Sequence, residues 1–152
     1  MASPSSTSPN VECEELWLVQ RRVPELCMLL YRPFLYLAIH QPPSWPHHTA
    51  IASYVENCLD GCIKGALQGV QRHRHHGTWY VNRVVFSYAL MILAAVKSRC
   101  VNVPTTWRTA VHTAMAGLSF WGKEAPDLAR GRVILERVLC DIEETDVETT
   151  GI

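Results

Sequence analysis

Apolar residues recur at steps of three and four along most of the chain, the spacing that collects them on one face of an α-helix. Residues 50–70 give the cleanest case. Ile51, Tyr54, Val55, Cys58, Leu59, Cys62, Ile63, Ala66, Leu67 and Val70 form one stripe, and Glu56, Asn57, Asp60, Lys64 and Gln68 fill the other side. Gly61, Gly65 and Gly69 lie four apart within it. Each lowers helix propensity by roughly 1 kcal/mol relative to Ala, and together they permit close approach of a neighbouring helix.

Four further stretches carry the same period. Glu14–Tyr31 places Leu16, Val19, Val23, Leu26, Cys27 and Leu30 on one stripe. Pro24 is expected to break or kink it, and Arg32-Pro33 to end it before a short helix over 34–40. The "QPPSWP" segment then reads as a rigid linker. Residues 79–98 are apolar nearly all round in the middle, which predicts the central helix of a bundle, with Thr78 as its N-cap. Trp107, Ala110, Val111, Ala114, Met115, Leu118 and Trp121 mark a fourth helix, capped by Thr105 or Thr106. "GKEAP" breaks it. Leu128, Leu135, Val138, Leu139 and Ile142 mark the last, with Asp127 near its positive end.

The predicted fold class is therefore all-α: a single-domain bundle of five or six helices over 14–144. A Ser/Pro-rich stretch over 1–13 is expected to be a disordered lead-in, and 145–152 a flexible acidic tail. A chain of 152 residues with 48% apolar composition suits one packed core. A formal net charge of zero gives no global attraction to nucleic acid or anionic lipid. The thirteen-residue apolar run 84–96 is too short to cross a bilayer, and no secretory signal stands at the N-terminus. The six cysteines read as free thiols in a reducing compartment.

The densest chemistry is "QRHRHHGTW", residues 71–79. His73, His75 and His76 can present imidazoles to an effector, a protein partner or a surface metal, but no carboxylate or cysteine lies beside them to complete a dedicated site. Arg72, Arg74 and Trp79 combine cation and stacking surface, as in single-strand binders, though the patch is short. Cys58 and Cys62 face the same way on a helix, within an apolar stripe where a small hydrophobe suffices. No nucleophile elbow, zinc-protease motif or phosphate loop occurs. These residues predict no catalytic, cofactor or dedicated metal residue. The rival reading is a small metal- or thiol-dependent enzyme using the His-rich turn at 73–76.

Three stretches appear in order that resemble a known family: "LLYRPFLYLAIH" (29–40), "RHHGTWYVNR" (74–83) with "ALMILAA" (89–95), and "LSFWGKEAPDLARGRVILE" (118–136). Together they are similar to the C-terminal part of the regulatory region of fungal zinc-cluster transcription factors. The resemblance implies a non-catalytic, all-helical regulatory domain in the nucleus, acting through a protein partner or a small-molecule effector. That family binds DNA with a separate N-terminal module that holds two zinc ions on six closely spaced cysteines. Here the cysteines at 13, 27, 58, 62, 100 and 140 are scattered, so the zinc cluster is absent and no direct DNA binding is expected of this chain. Within the resemblance, Trp79, Trp107 and Trp121 are expected as core anchors. Arg32 is expected to cap a helix or meet a buried acid, and Arg130 or Arg132 to pair with Glu124 or Asp127.

Overall fold

A computed structural model describes residues 9–42, 44–69, 74 and 77–150, with side chains over 22–42, 44–69, 74 and 77–146. Five helices follow one another: α1 (Pro9–His40), α2 (His48–Gln68), α3 (Thr78–Ser98), α4 (Trp107–Trp121) and α5 (Pro126–Thr150). No strand occurs among the described residues. The architecture is the all-α bundle that the periodicity predicts.

Neighbours in sequence are neighbours in space, and each runs against the one before it. Tyr54 meets Tyr31 and Phe34, while Gly61, further along α2, meets Cys27 and Pro24, earlier in α1. Gly65 and Gly69 of α2 meet Tyr88 and Val85 of α3 in the same reversed order. Arg108 reaches Glu143, and Ser119 receives Arg132, so α4 and α5 are also antiparallel. α3 and α5 therefore run parallel. Arg83–Asp127 at 2.8 Å and Lys97–Asp141 at 3.3 Å lie at their two ends in one register.

α3 is the hub, packed on all four other helices. Val85, Ala89, Ile92, Leu93 and Ala95 are buried along it. Its 21 residues are long and apolar enough to cross a membrane by length and composition, unlike the shorter run singled out in the sequence. Here that apolar surface is spent on the core, where Val84, Phe86, Leu90 and Met91 also pack.

Several local expectations change. α1 is one continuous helix through Pro24 and Pro33, and it begins at Pro9, inside the expected lead-in. An internal proline costs about 3 kcal/mol of helix propensity, so the continuity must come from tertiary packing. Pro24 and, further along, Met28, Leu35 and Ala38 form the face laid on the bundle. The apolar stripe read from the sequence is not that face: Val23, Leu26 and Leu30 are exposed. Leu16 and Val19 lie outside the residues whose side chains are described. α5 runs to Thr150 without a break at 144, so helix continues into the expected tail.

The helix ends differ too. Gly77, not Thr78, is the N-cap of α3, and Thr78 is a buried first-turn residue. Thr106 does cap α4, but without a side-chain hydrogen bond. Pro126 opens α5 where its missing N–H costs nothing. Gly122 lets the two helices of that corner close up, since a Cβ there would stand 3.2 Å from Ala129. α3 ends on Arg99, whose φ of 54° is left-handed.

Candidate functional site at one pole of the bundle

Alternating helix directions bring the α1–α2 and α3–α4 connections to the same pole. Both are short and proline-punctuated, 41–47 and 99–106. Trp45 N–H donates to Pro42 O at 2.9 Å and Trp107 N–H to Pro104 O at 3.0 Å, so each connection is a tight turn. Two tight turns cannot cover the ends of four helices completely. The space left is a half-open cavity of about 460 Å³.

Its floor is apolar: Ala38 of α1, Ala52 and Val55 of α2, and Val101 of the loop. Its rim is polar: Gln41, His48, Glu56, Arg99 and Asn102. A smaller depression of about 290 Å³ adjoins it, sharing Glu56 and Asn102 and adding Leu59, Asp60 and Pro104. The larger cavity falls within the size range of small-molecule sites, with an apolar bed and a few polar groups to orient a guest.

The rim is held in place. His48 Nε2 lies 2.9 Å from Pro42 O, and the Trp45 ring stands edge-on to the imidazole with centroids 5.4 Å apart. Arg99 is pinned by Asp146 of α5 at 2.7 Å. Ser98 Oγ accepts from Cys100 N–H at 3.2 Å, and the Cys100 thiol donates to Ser98 O at 3.1 Å. The loop wall is thus fastened to α3 and, through one ion pair, to the far end of the chain.

The end of α2 and the start of α3 lie at the opposite pole, about 30 Å away along 21-residue helices. His73, His75 and His76 lie outside the described residues, as does Arg72. Arg74 is described. It donates to Glu124 at 2.5 Å, and its guanidinium stands 5.7 Å from the centroid of the Trp79 ring. Trp79 is half-buried against Trp121 in an edge-on pair at 5.6 Å. Trp121 is a core anchor as expected, whereas Trp107 is half-buried with Arg108 over its ring at 4.5 Å.

The expected acid–base pairs are rearranged. Glu124 takes Arg74 and Asp127 takes Arg83, while Arg132 holds Glu136 at 2.6 Å on its own helix. The residues that resemble the family signature therefore tie the His-rich turn to the α4–α5 corner.

Cys58 and Cys62 are fully buried between α2 and its neighbours. A hydrogen bond from the Cys62 thiol favours the thiolate of Cys58, and the positive charge of Arg32 adds to this against the cost of burial. Cys62 is correspondingly pushed far up, by that bond, by burial and by the nearby Cys58 and Cys27. Arg32 is exposed inside α1, so it neither caps a helix end nor lies buried with an acid. Among the described residues, no group of three His, Cys, Asp or Glu side chains is placed to hold a metal ion.

The cavity was missed in the sequence because its residues come from three segments, 38–41, 48–56 and 99–102. Glu56 reads as one more solvated position on α2, and "VNVP" as an ordinary loop. The available signal was topological: two proline-bearing connections alternate with long helices and must share a pole. No protein-family model, curated protein or solved structure matches the chain.

Proposed function

We propose that this chain is a non-catalytic regulatory domain, acting by binding in transcriptional regulation, with a small polar effector as the occupant of the pole cavity. The carrying observation is the half-open cavity of about 460 Å³, apolar at its floor and ringed by Gln41, His48, Glu56, Arg99 and Asn102. That composition selects a compact guest with an apolar body and hydrogen-bonding groups at its edge. The context of transcription and the nucleus comes from the resemblance of residues 29–40, 74–83, 89–95 and 118–136 to the fungal regulatory region. Protein partners remain open to the same domain through its outer helix faces.

The test joins the chain to an unrelated DNA-binding module and reads a reporter in a fungal nucleus. A reporter level changed from that of the module alone supports the reading. Ala52→Trp, which fills the cavity from its α2 wall, should then alter the response while leaving the helical signal intact. An unchanged reporter, together with stoichiometric zinc that is lost when His73, His75 and His76 are replaced, overturns it in favour of a metal-dependent enzyme.

A further inference from the structure

α1 is apolar on two opposite sides. One side carries Met28, Leu35 and Ala38 into the core. The other carries Val23, Leu26, Leu29, Leu30 and Tyr36, each 51–66% exposed. A helix with a single neighbouring layer shows one apolar stripe and a polar back; a helix apolar on both sides sits between two layers. Among the described residues no second layer covers that side, since α1 packs on α2 and, more lightly, on α3.

We infer that a second copy of this chain supplies that layer, and that the protein dimerises through an antiparallel α1–α1 pair centred on Leu29 and Leu30. Three observations favour a second copy. The first is area. At typical side-chain surfaces, the five residues expose roughly 500 Å² per copy, so pairing would remove about 1,000 Å², the threshold of a specific interface before its rim is counted.

The second is self-complementarity, which a two-fold interface requires. Antiparallel pairing about the centre sets Leu29 against Leu30 of the second copy and Leu26 against Pro33. At each end it sets the small Val23 against the large Tyr36, so bulk meets a gap. The third is charge. The net charge is zero, and Arg22 at the stripe's margin is already paired with Glu25 at 2.8 Å, so two copies approach without repulsion.

Sedimentation equilibrium of the whole chain tests this, using wild type, Leu29→Lys, Leu30→Glu and an equimolar mixture of the two variants. The wild type should be dimeric. Each single variant should be at least tenfold weaker in self-association, with unchanged helical circular dichroism, since both positions are exposed in the monomer. The mixture should recover dimer, because position 29 of one copy then meets position 30 of the other as Lys against Glu.

A monomeric wild type would overturn the proposal and leave the stripe to a different protein or to another segment of a longer chain. A wild-type dimer that both single variants preserve would also overturn it, by putting the contact elsewhere. Weakened variants whose mixture shows no recovery would overturn the antiparallel register.

Discussion

Arg99 binds Asp146 at 2.7 Å from a left-handed backbone, the only positive φ of a non-glycine among the described residues. Two effects meet at one position. The ion pair is half-exposed on both sides and contributes less than about 1 kcal/mol. The left-handed turn is costlier to get wrong. Arg99→Val should destabilise by about 1–2 kcal/mol, because a branched Cβ crowds the following carbonyl there. Asp146→Asn should cost less than about 1 kcal/mol, and less still in high salt. Urea midpoints of the two variants decide it. Equal losses would mean that the ion pair, not the backbone, sets this corner of the cavity.

Gly65 faces the Tyr88 ring so closely that a Cβ would stand 2.4 Å from it. Tyr88 is buried, so the ring has little room to swing aside. Gly65→Ala should lower stability by about 1–3 kcal/mol from overpacking, outweighing the roughly 1 kcal/mol gained in helix propensity. Gly131 is the control. Its Cβ would lie 3.2 Å from the half-buried Phe86 ring, and Gly131→Ala should be neutral or mildly stabilising. Thermal unfolding should show a lower Tm for Gly65→Ala and an unchanged or slightly higher one for Gly131→Ala. A rise in Tm for Gly65→Ala would refute the close α2–α3 crossing.

Asn82 is buried in the first turns of α3. Its Nδ2 donates to Thr78 O at 2.8 Å, while Oδ1 finds no partner among the described residues. A buried acceptor left unsatisfied costs about 1–3 kcal/mol. Asn82→Val, a closer apolar match in volume, should therefore change stability by less than about 1 kcal/mol, whereas Asn82→Asp should destabilise strongly by burying a charge. Guanidinium melts of the pair are sufficient. A loss for Asn82→Val as large as that for Asn82→Asp would show that Oδ1 is engaged in the folded protein.

Tyr80 donates its hydroxyl to Glu25 and so ties α3 to α1. That bond to a carboxylate, ahead of burial and the charge of Glu25, raises the phenol above its ordinary value of 10.0. A raised folded pKa gives a contribution that is full below the unfolded value and is lost as pH rises through the folded one. Wild type should lose stability relative to Tyr80→Phe on going from neutral pH into the alkaline range above 10. Parallel stability curves for the two proteins through that range would count against the bond. The site is exposed, so the difference will be modest.

Much of the fold was legible because α2, α4 and α5 have one apolar stripe each, which a count at steps of three and four finds, and α3 is apolar nearly all round, as a central helix must be. α1 was misread for a physical reason. It carries two apolar faces, and periodicity alone gives no preference between Leu26–Leu30 and Met28–Leu35. Only the neighbouring α2 decides. The prolines misled in the same way, since propensity is local and the packing that overrides it is not. The cavity was illegible because its third wall, 99–102, is more than forty residues from the other two. The resemblance drew attention to residues 74–83, yet Arg74 and Trp79 serve the α4–α5 corner, and His75 and His76 lie outside the described residues.

The burial of the α2 thiols has a kinetic consequence. Cys58 and Cys62 are shielded where Arg32 and Cys27 of α1 lie near them, while Cys100 and Cys140 are open to solvent. Local opening exposes such buried groups before global unfolding does. Alkylation of Cys58 and Cys62 should therefore lag that of Cys100 and Cys140, at a rate set by how often α2 and its neighbours part. The buried thiols of α2 then report the breathing of the core from the inside.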